Sequence, residues 1–195
     1  KESGIKLDML LNVAGVDHEG GFTAQSFDNI EEILRVNIEA TLRMTYKALS
    51  IRRKTGTFYI VFVSSLASMY PMPLKATYAA SKRFLLDFSY ALGQELKDQE
   101  VKVLALCPGG MPTKASCIDA IEAQGFWGEV TTNALEKVAR RTISRVLRGR
   151  KTYFPGAVNR IFSIAARIVP VGLITRLIYS RWHKAQAKWL VNQGA

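Results

Sequence analysis

The sequence predicts an α/β fold, a parallel sheet with helices on both faces. Three observations carry that expectation. Short apolar runs of strand length alternate with longer stretches of helical periodicity, the pattern of βαβ units. The runs are continuously apolar, as in strands covered on both faces. Each of the first three ends in small or polar residues: Asn12-Val13-Ala14-Gly15, Ser64-Ser65 and Pro108-Gly109-Gly110.

The elements follow in order. Leu7 to Val13 reads as the first strand, closed by Ala14-Gly15, and a polar loop with Gly20-Gly21 comes next. Asp28 and Glu31 have the spacing of an N-cap and its partner. Ile30, Ile33, Leu34, Ile38, Leu42 and Leu49 recur at helical spacing, which predicts a helix over 27–51. Arg52-Arg53-Lys54 complements its C-terminal dipole, and Gly56 closes it. Phe58 to Val63 is the second strand. Pro71 and Pro73 mark a loop, and a helix covers 77–98. Val101 to Leu106 is the third strand, followed by a loop with small helical pieces. A helix over 133–148, with Asn133 and Glu136 as its caps, leads to a short strand from Thr152 to Phe154 before Pro155-Gly156.

Composition bounds the function. With 195 residues, 48% of them hydrophobic and 22% charged, the chain is an ordinary globular one, which excludes disorder and collagen-like structure. Two cysteines, Cys107 and Cys117, build no disulfide framework, so a reducing, cytoplasmic compartment is expected. Two histidines, His18 and His183, far apart, argue against a metal cluster. No apolar stretch approaches the ~20 residues that a membrane span needs. The N-terminus has no apolar targeting core and no initiator Met, so the chain is read as cut from something longer. The net charge of +11 is uneven: residues 134–195 hold 13 Lys and Arg against one acid, Glu136, whereas residues 1–133 hold 14 against 15 acids. Such a segment seeks an anionic partner.

Ligands of open parallel sheets bind beyond the carboxyl ends of the strands, where the three polar clusters fall. The helix over 77–98 adds Tyr78-Ala79-Ala80-Ser81-Lys82. Residues i and i+4 share a helical face, so the phenol and the ammonium point the same way. A nearby cation favours phenolate, which predicts a Tyr78 pKa lowered from ~10 toward neutrality and a general acid/base at this position. Taken singly, each feature has an ordinary reading: Tyr78 and Lys82 as a surface helix pair, Asn37 as a surface residue, Ser65 as a strand-end cap.

Taken together, Asn12-x-Ala14-Gly15, Asn37, Ser65, Tyr78, Lys82 and Pro108-Gly109-x-x-x-Thr113 resemble the short-chain dehydrogenase/reductase family, from its fourth strand onward. The resemblance implies a Rossmann-type doubly wound sheet, incomplete at its N-terminus, over 1–156. It implies NADP or NAD as cofactor. It implies that Tyr78 donates the proton to a substrate carbonyl, that Ser65 polarises that carbonyl, and that Lys82 holds the nicotinamide ribose. Asn37 would interrupt its helix and position a water in a relay to Lys82. Asn12, Ala14 and Gly15 would line the adenosine side, and Pro108, Gly109 and Thr113 the nicotinamide end. Residues 114–130, with Phe126 and Trp127, match a substrate lid, although the aromatic pair also suits core packing. The family's opening strand, Gly-rich turn and helix, which cradle the pyrophosphate, have no counterpart here. A fragment with an exposed apolar edge at Leu7–Val13 is therefore expected. Val13 and Cys107 stand where the family commonly has Asn.

Beyond Gly156, residues 157–195 form a helical extension in which apolar residues, Arg/Lys and Trp are interleaved, broken at Pro170. Two readings stand: a pair of amphipathic helices lying on a membrane, or an extension packed on its own domain or a neighbouring subunit. Nucleic acid lacks any reading motif. A membrane-side tail fits a lipophilic carbonyl substrate such as a 3-oxoacyl thioester, a steroid or a ketosphingoid. The resemblance also implies a homo-oligomer, formed through the helices at 27–51 and 77–98. The rival to a reductase is a non-catalytic binding or scaffold protein that keeps the fold.

Overall fold

The computed structural model describes residues 6–113 and 115–193, and for residues 116, 120, 182 and 184–193 the backbone alone. Four parallel strands, β1 (Met9–Asn12), β2 (Phe58–Val63), β3 (Val101–Leu106) and β4 (Thr152–Tyr153), lie side by side in that order. Between β1 and β2 run α1 (Phe27–Ile33), a π-helical stretch (Leu34–Ala40) and α2 (Thr41–Ile51). α3 (Ala76–Glu95) joins β2 to β3. α4 (Ala115–Ala123), α5 (Phe126–Thr131) and α6 (Leu135–Leu147) precede β4, and α7 (Ala157–Ile168) and α8 (Val171–Gln193) follow it.

Strand periodicity sorts the core into two layers, because successive side chains leave opposite faces of a strand. Phe58, Ile60 and Phe62 of β2, with Val101 and Val103 of β3, pack against Ala48 of α2 and against Leu85 and Leu92 of α3. Val61, Leu104 and Leu106 pack on the other face against Val138 and Val146 of α6. Helices thus cover both faces, as the apolar runs of β2 and β3 predict. A third cluster, Leu66, Met69, Leu86, Ala105 and Cys107, receives Phe162 and Ala166 of α7.

Three expectations are corrected, and one gains a partner. β1 is shorter than 7–13 and its faces are not both covered, with Leu11 47% and Val13 63% exposed, while its place at the sheet edge is the one expected. An apolar run reports a strand, but not whether a neighbour covers it. The N-cap of α1 is Ser26, whose Oγ accepts from the Asn29 N–H, because Asp28 already lies inside the helix. Asn133 does not cap α6; its side chain is drawn into contacts with Gly109 and Asn159. Arg53 pairs with Asp8 at 2.6 Å, and so answers a carboxylate beside β1 as well as the end of α2.

Candidate active site

Because the strands are parallel, their carboxyl ends open on one rim, and the three small or polar clusters meet there. The β2–β3 ladder continues past the strand ends: the Ser64 N–H donates to the Leu106 carbonyl at 2.8 Å, and the Leu66 N–H to the Pro108 carbonyl at 2.7 Å. Two of the loops are thereby fixed to one another. Ser65 caps the 3₁₀ turn Leu66–Met69, its Oγ accepting from the Ala67 N–H at 3.1 Å. α3 brings Tyr78 to the same place, close enough for the Ser65 hydroxyl to act on the Tyr78 phenol.

Lys82, one turn further along α3, is 4% exposed. Its Nζ donates to the Val63 carbonyl at 3.0 Å and lies 5.7 Å from the centre of the Tyr78 ring. The Ser64 hydroxyl holds the Lys82 carbonyl at 2.7 Å, which ties this turn of α3 to the end of β2. Asn37 is fully buried in the π-helical stretch. π turns interrupt the regular helical ladder and recur at functional sites. Here the Asn37 amide faces the β1 loop: Oδ1 accepts from the Val16 N–H at 2.8 Å, and Nδ2 donates to the Val16 carbonyl and to Ser81 Oγ, both at 3.0 Å.

Electrostatics overturn one expectation. The Tyr78 pKa is pushed up to about 12, not down. Burial is the main cause and the Asp17 carboxylate adds to it; the Ser65 hydrogen bond and Lys75 oppose them, and Lys82 is not among the contributors. Burial penalises the charged form of both partners, so Lys82 is itself lowered to about 8. Spacing along a helix predicts the proximity but is silent on the desolvation, which decides the sign. Burial likewise pushes the Cys107 thiol up to about 12, beneath Ser64 and Ser68.

The remaining positions divide. Ala14 and Gly15 face the open rim. A Cβ on Gly15 would sit 2.8 Å from Lys82 Nζ and 3.3 Å from Asn37 Oδ1, so the absence of a side chain keeps a close approach to both open. Asn12, expected to line the adenosine side, donates through Nδ2 to Thr45 Oγ1 at 3.1 Å and anchors β1 to α2. Pro108 is buried. Gly109 packs so tightly that a Cβ would lie 2.2 Å from the Thr131 carbonyl oxygen. Thr113 is exposed, its hydroxyl 3.4 Å from Cys117 Sγ. Gly15, Tyr78, Lys82 and the Pro108–Thr113 loop can hold the nicotinamide and ribose end of a dinucleotide. No Gly-rich turn for its pyrophosphate occurs in the 195 residues.

α4 and α5 stand where the lid is expected. Phe126 is 67% and Trp127 43% exposed, so neither is a core residue. Trp127 lies 5.8 Å from the ring of Phe162 and 5.1 Å from the Arg181 guanidinium of α8. His18 pairs with Glu32 at 2.6 Å, and no cluster of three metal-ligating side chains occurs among the described residues. Lys114 of the lid and the side chains of Trp182, Lys184, Lys188 and Trp189 lie outside the described residues.

Sequence reasoning passed over four residues around this site. Asp17, Glu19 and Lys75 form an ion-paired group against Tyr78. Asn159, fully buried, donates to the Thr131 and Pro155 carbonyls and to Asn133 Oδ1. The one available signal was a charged Lys75 in the otherwise apolar stretch before Tyr78.

Known proteins resemble this chain in sequence and fold. The family model for short chain dehydrogenases matches residues 1–118. Rat dehydrogenase/reductase SDR family member 7B is 30% identical over 186 residues, covering 91% of this chain and 56% of its own length. The very-long-chain 3-oxoacyl-CoA reductase of Coprinopsis cinerea is 34% identical over 103 residues, 52% of this chain and 30% of its own. Among solved structures, a 7β-hydroxysteroid dehydrogenase superposes with a TM-score of 0.75 at 17% identity, over 87% of this chain and 66% of that one. The chain thus spans about a third to just over half of these curated relatives.

Proposed function

This chain belongs to the short-chain dehydrogenase family, and we propose that it carries the catalytic part of a nicotinamide-dependent reductase that converts a lipophilic ketone to an alcohol. The observation that carries this reading is the convergence of Ser65 and Tyr78 at the carboxyl end of β2, with the buried Lys82 Nζ 5.7 Å from the centre of the Tyr78 ring. The relatives named above act on oxoacyl and steroid compounds by their names, which supports the substrate class.

In this reading the substrate carbonyl oxygen lies against both hydroxyls. Ser65 donates a hydrogen bond that polarises it, and Tyr78 donates the proton that completes the alcohol. With its pKa pushed up to about 12, Tyr78 is protonated at pH 7, the state that proton donation to a ketone requires. Lys82 remains a cation up to pH values near 8 and supplies positive potential next to the oxygen that loses the proton. A bound NADP or NAD, held by Gly15, Tyr78, Lys82 and the loop from Pro108 to Thr113, supplies the hydride. Asn37 holds the β1 loop that frames this end of the pocket.

Residues 157–195 are read as an extension that rests on an anionic lipid surface at the cytoplasmic side. Ile161, Ile164 and Ile168 form an exposed apolar stripe on α7, Leu173 and Leu177 another on α8, within a segment of strongly positive charge. No helix among the described residues is long and apolar enough to cross a membrane. The homo-oligomer implied by the family stays part of this reading, supported by exposed Met44 and Tyr46 on α2.

The test is Tyr78→Phe in the intact protein. Loss of about a thousandfold in kcat/KM for ketone reduction, with cofactor binding retained, is the expected result. Unchanged turnover would remove the assignment and leave a fold without this chemistry.

A further inference from the structure

We infer that Lys75 is a positioning residue of this site: with Asp17 and Glu19 it latches the β1 loop to the start of α3 and sets the charge that faces Tyr78. The inference rests on the reading of Tyr78 as the proton donor.

The geometry is that of a two-point latch. Lys75 Nζ lies 2.6 Å from Asp17 Oδ2 and 3.0 Å from Glu19 Oε2, with only 13% of the Lys75 side chain exposed. Beside it, the Gly20 N–H donates to the Leu74 carbonyl at 2.8 Å. Leu74 adopts a φ of 66°, a left-handed conformation uncommon for a residue with a side chain. Such a conformation persists where surrounding contacts hold it. The loop on the far side of the latch contains Val16, which Asn37 grips through both its N–H and its carbonyl. The segment between Gly15 and Gly20 is therefore pinned from the π-helical stretch at one end and from Lys75 at the other.

The same ammonium sits 5.8 Å from the centre of the Tyr78 ring, so two cations, Lys75 and Lys82, lie close to the ring. The charged and titratable groups around Tyr78 are Lys75 and Lys82 from α3 and its approach, Asp17 from the β1 loop and Cys117 from α4, with Glu19 paired to Lys75. The Asp17 carboxylate opposes ionisation of the phenol, and Lys75 partly offsets it. Removing the Lys75 charge takes that offset away, whereas removing Asp17 has the opposite sign.

The experiment uses Lys75→Met, Lys75→Arg, Asp17→Asn and the double variant Asp17→Asn/Lys75→Met in the intact protein, with two readouts. Amide hydrogen exchange at Val16 and Gly20 reports the latch without any turnover. The rate of alcohol oxidation at pH 7, far below the Tyr78 pKa, follows the small ionised fraction of Tyr78. Expected for Lys75→Met are faster exchange and slower alcohol oxidation, by up to about tenfold. Lys75→Arg restores both. Asp17→Asn speeds oxidation, and the double variant returns it toward the parent while the loop remains loose. Unchanged exchange in Lys75→Met, or oxidation rates that move in the same direction in Lys75→Met and Asp17→Asn, would overturn the inference. If Tyr78→Phe keeps full turnover while exchange still responds to Lys75→Met, the assignment of Tyr78 fails and the latch stands.

Discussion

Tyr78 and Lys82 illustrate how burial and charge compete over one residue. The helical spacing that puts them on one face is visible in the sequence and holds in the structure, with the ammonium 5.7 Å from the ring centre. The consequence drawn from it was a lowered Tyr78 pKa, and the opposite holds. A cation in water shifts a phenol modestly, whereas removing the phenolate from water costs more than one neighbouring charge returns. The same burial lowers Lys82 to about 8, which gives a pH prediction with a definite sign. Below that value Lys82 is charged; as the pH rises through it the cation is lost. The kcat/KM for ketone reduction should fall above about pH 8 with a single ionisation, well before Tyr78 titrates. A profile that stays flat to pH 10 would show that the Lys82 charge is not needed.

Individual elements were legible to different degrees. β2 and β3 appear where their apolar runs put them, because a strand buried on both faces has a composition that nothing else in this chain shares. The stretch 27–51 is helical throughout, and its π-helical middle centres on Asn37, the residue the family resemblance singled out. The caps were less legible, since Ser26, Asp28 and Asn133 are all competent capping residues. Which one caps depends on where neighbouring elements pull the chain. Asn133 is pulled to Gly109 and Asn159, and this junction between the β3 loop, α5 and α7 is unusually tight. Gly109→Ala would drive a methyl into the Thr131 backbone carbonyl. A stability loss of about 2–3 kcal/mol in denaturant unfolding is expected. Gly110→Ala should cost clearly less, because its nearest neighbours, at 3.0 Å, are side-chain atoms of Ile121 and Thr132 that can shift. Equal losses for the two would contradict the packing described.

At the scale of the whole molecule, two asymmetries stand out: an open sheet edge at β1 and a basic C-terminal third. α7 shows that the two readings of the extension are not exclusive. Asn159 and Ser163 are buried and Phe162 packs on the core, while Ile161, Ile164 and Ile168 of the same helix are 63%, 53% and 77% exposed. Deleting 157–195 would therefore strip core contacts and confuse folding with binding. Replacing the three exposed isoleucines by Glu is the cleaner test. Co-sedimentation with vesicles rich in anionic lipid should fall at least about tenfold with little change in thermal stability. Binding that survives the triple replacement would assign the extension to another partner.

The sequence by itself determined the order of strands and helices, the rim on which Ser65, Tyr78 and Lys82 meet, and the uneven charge. These depend on composition and short-range spacing, which the chain carries locally. Only the tertiary structure decided that Asn12 turns to Thr45 and that burial raises the Tyr78 pKa. It alone brought Lys75 across 58 residues to Asp17. Burial and long-range ion pairs arise from how the elements pack, and no local pattern encodes them.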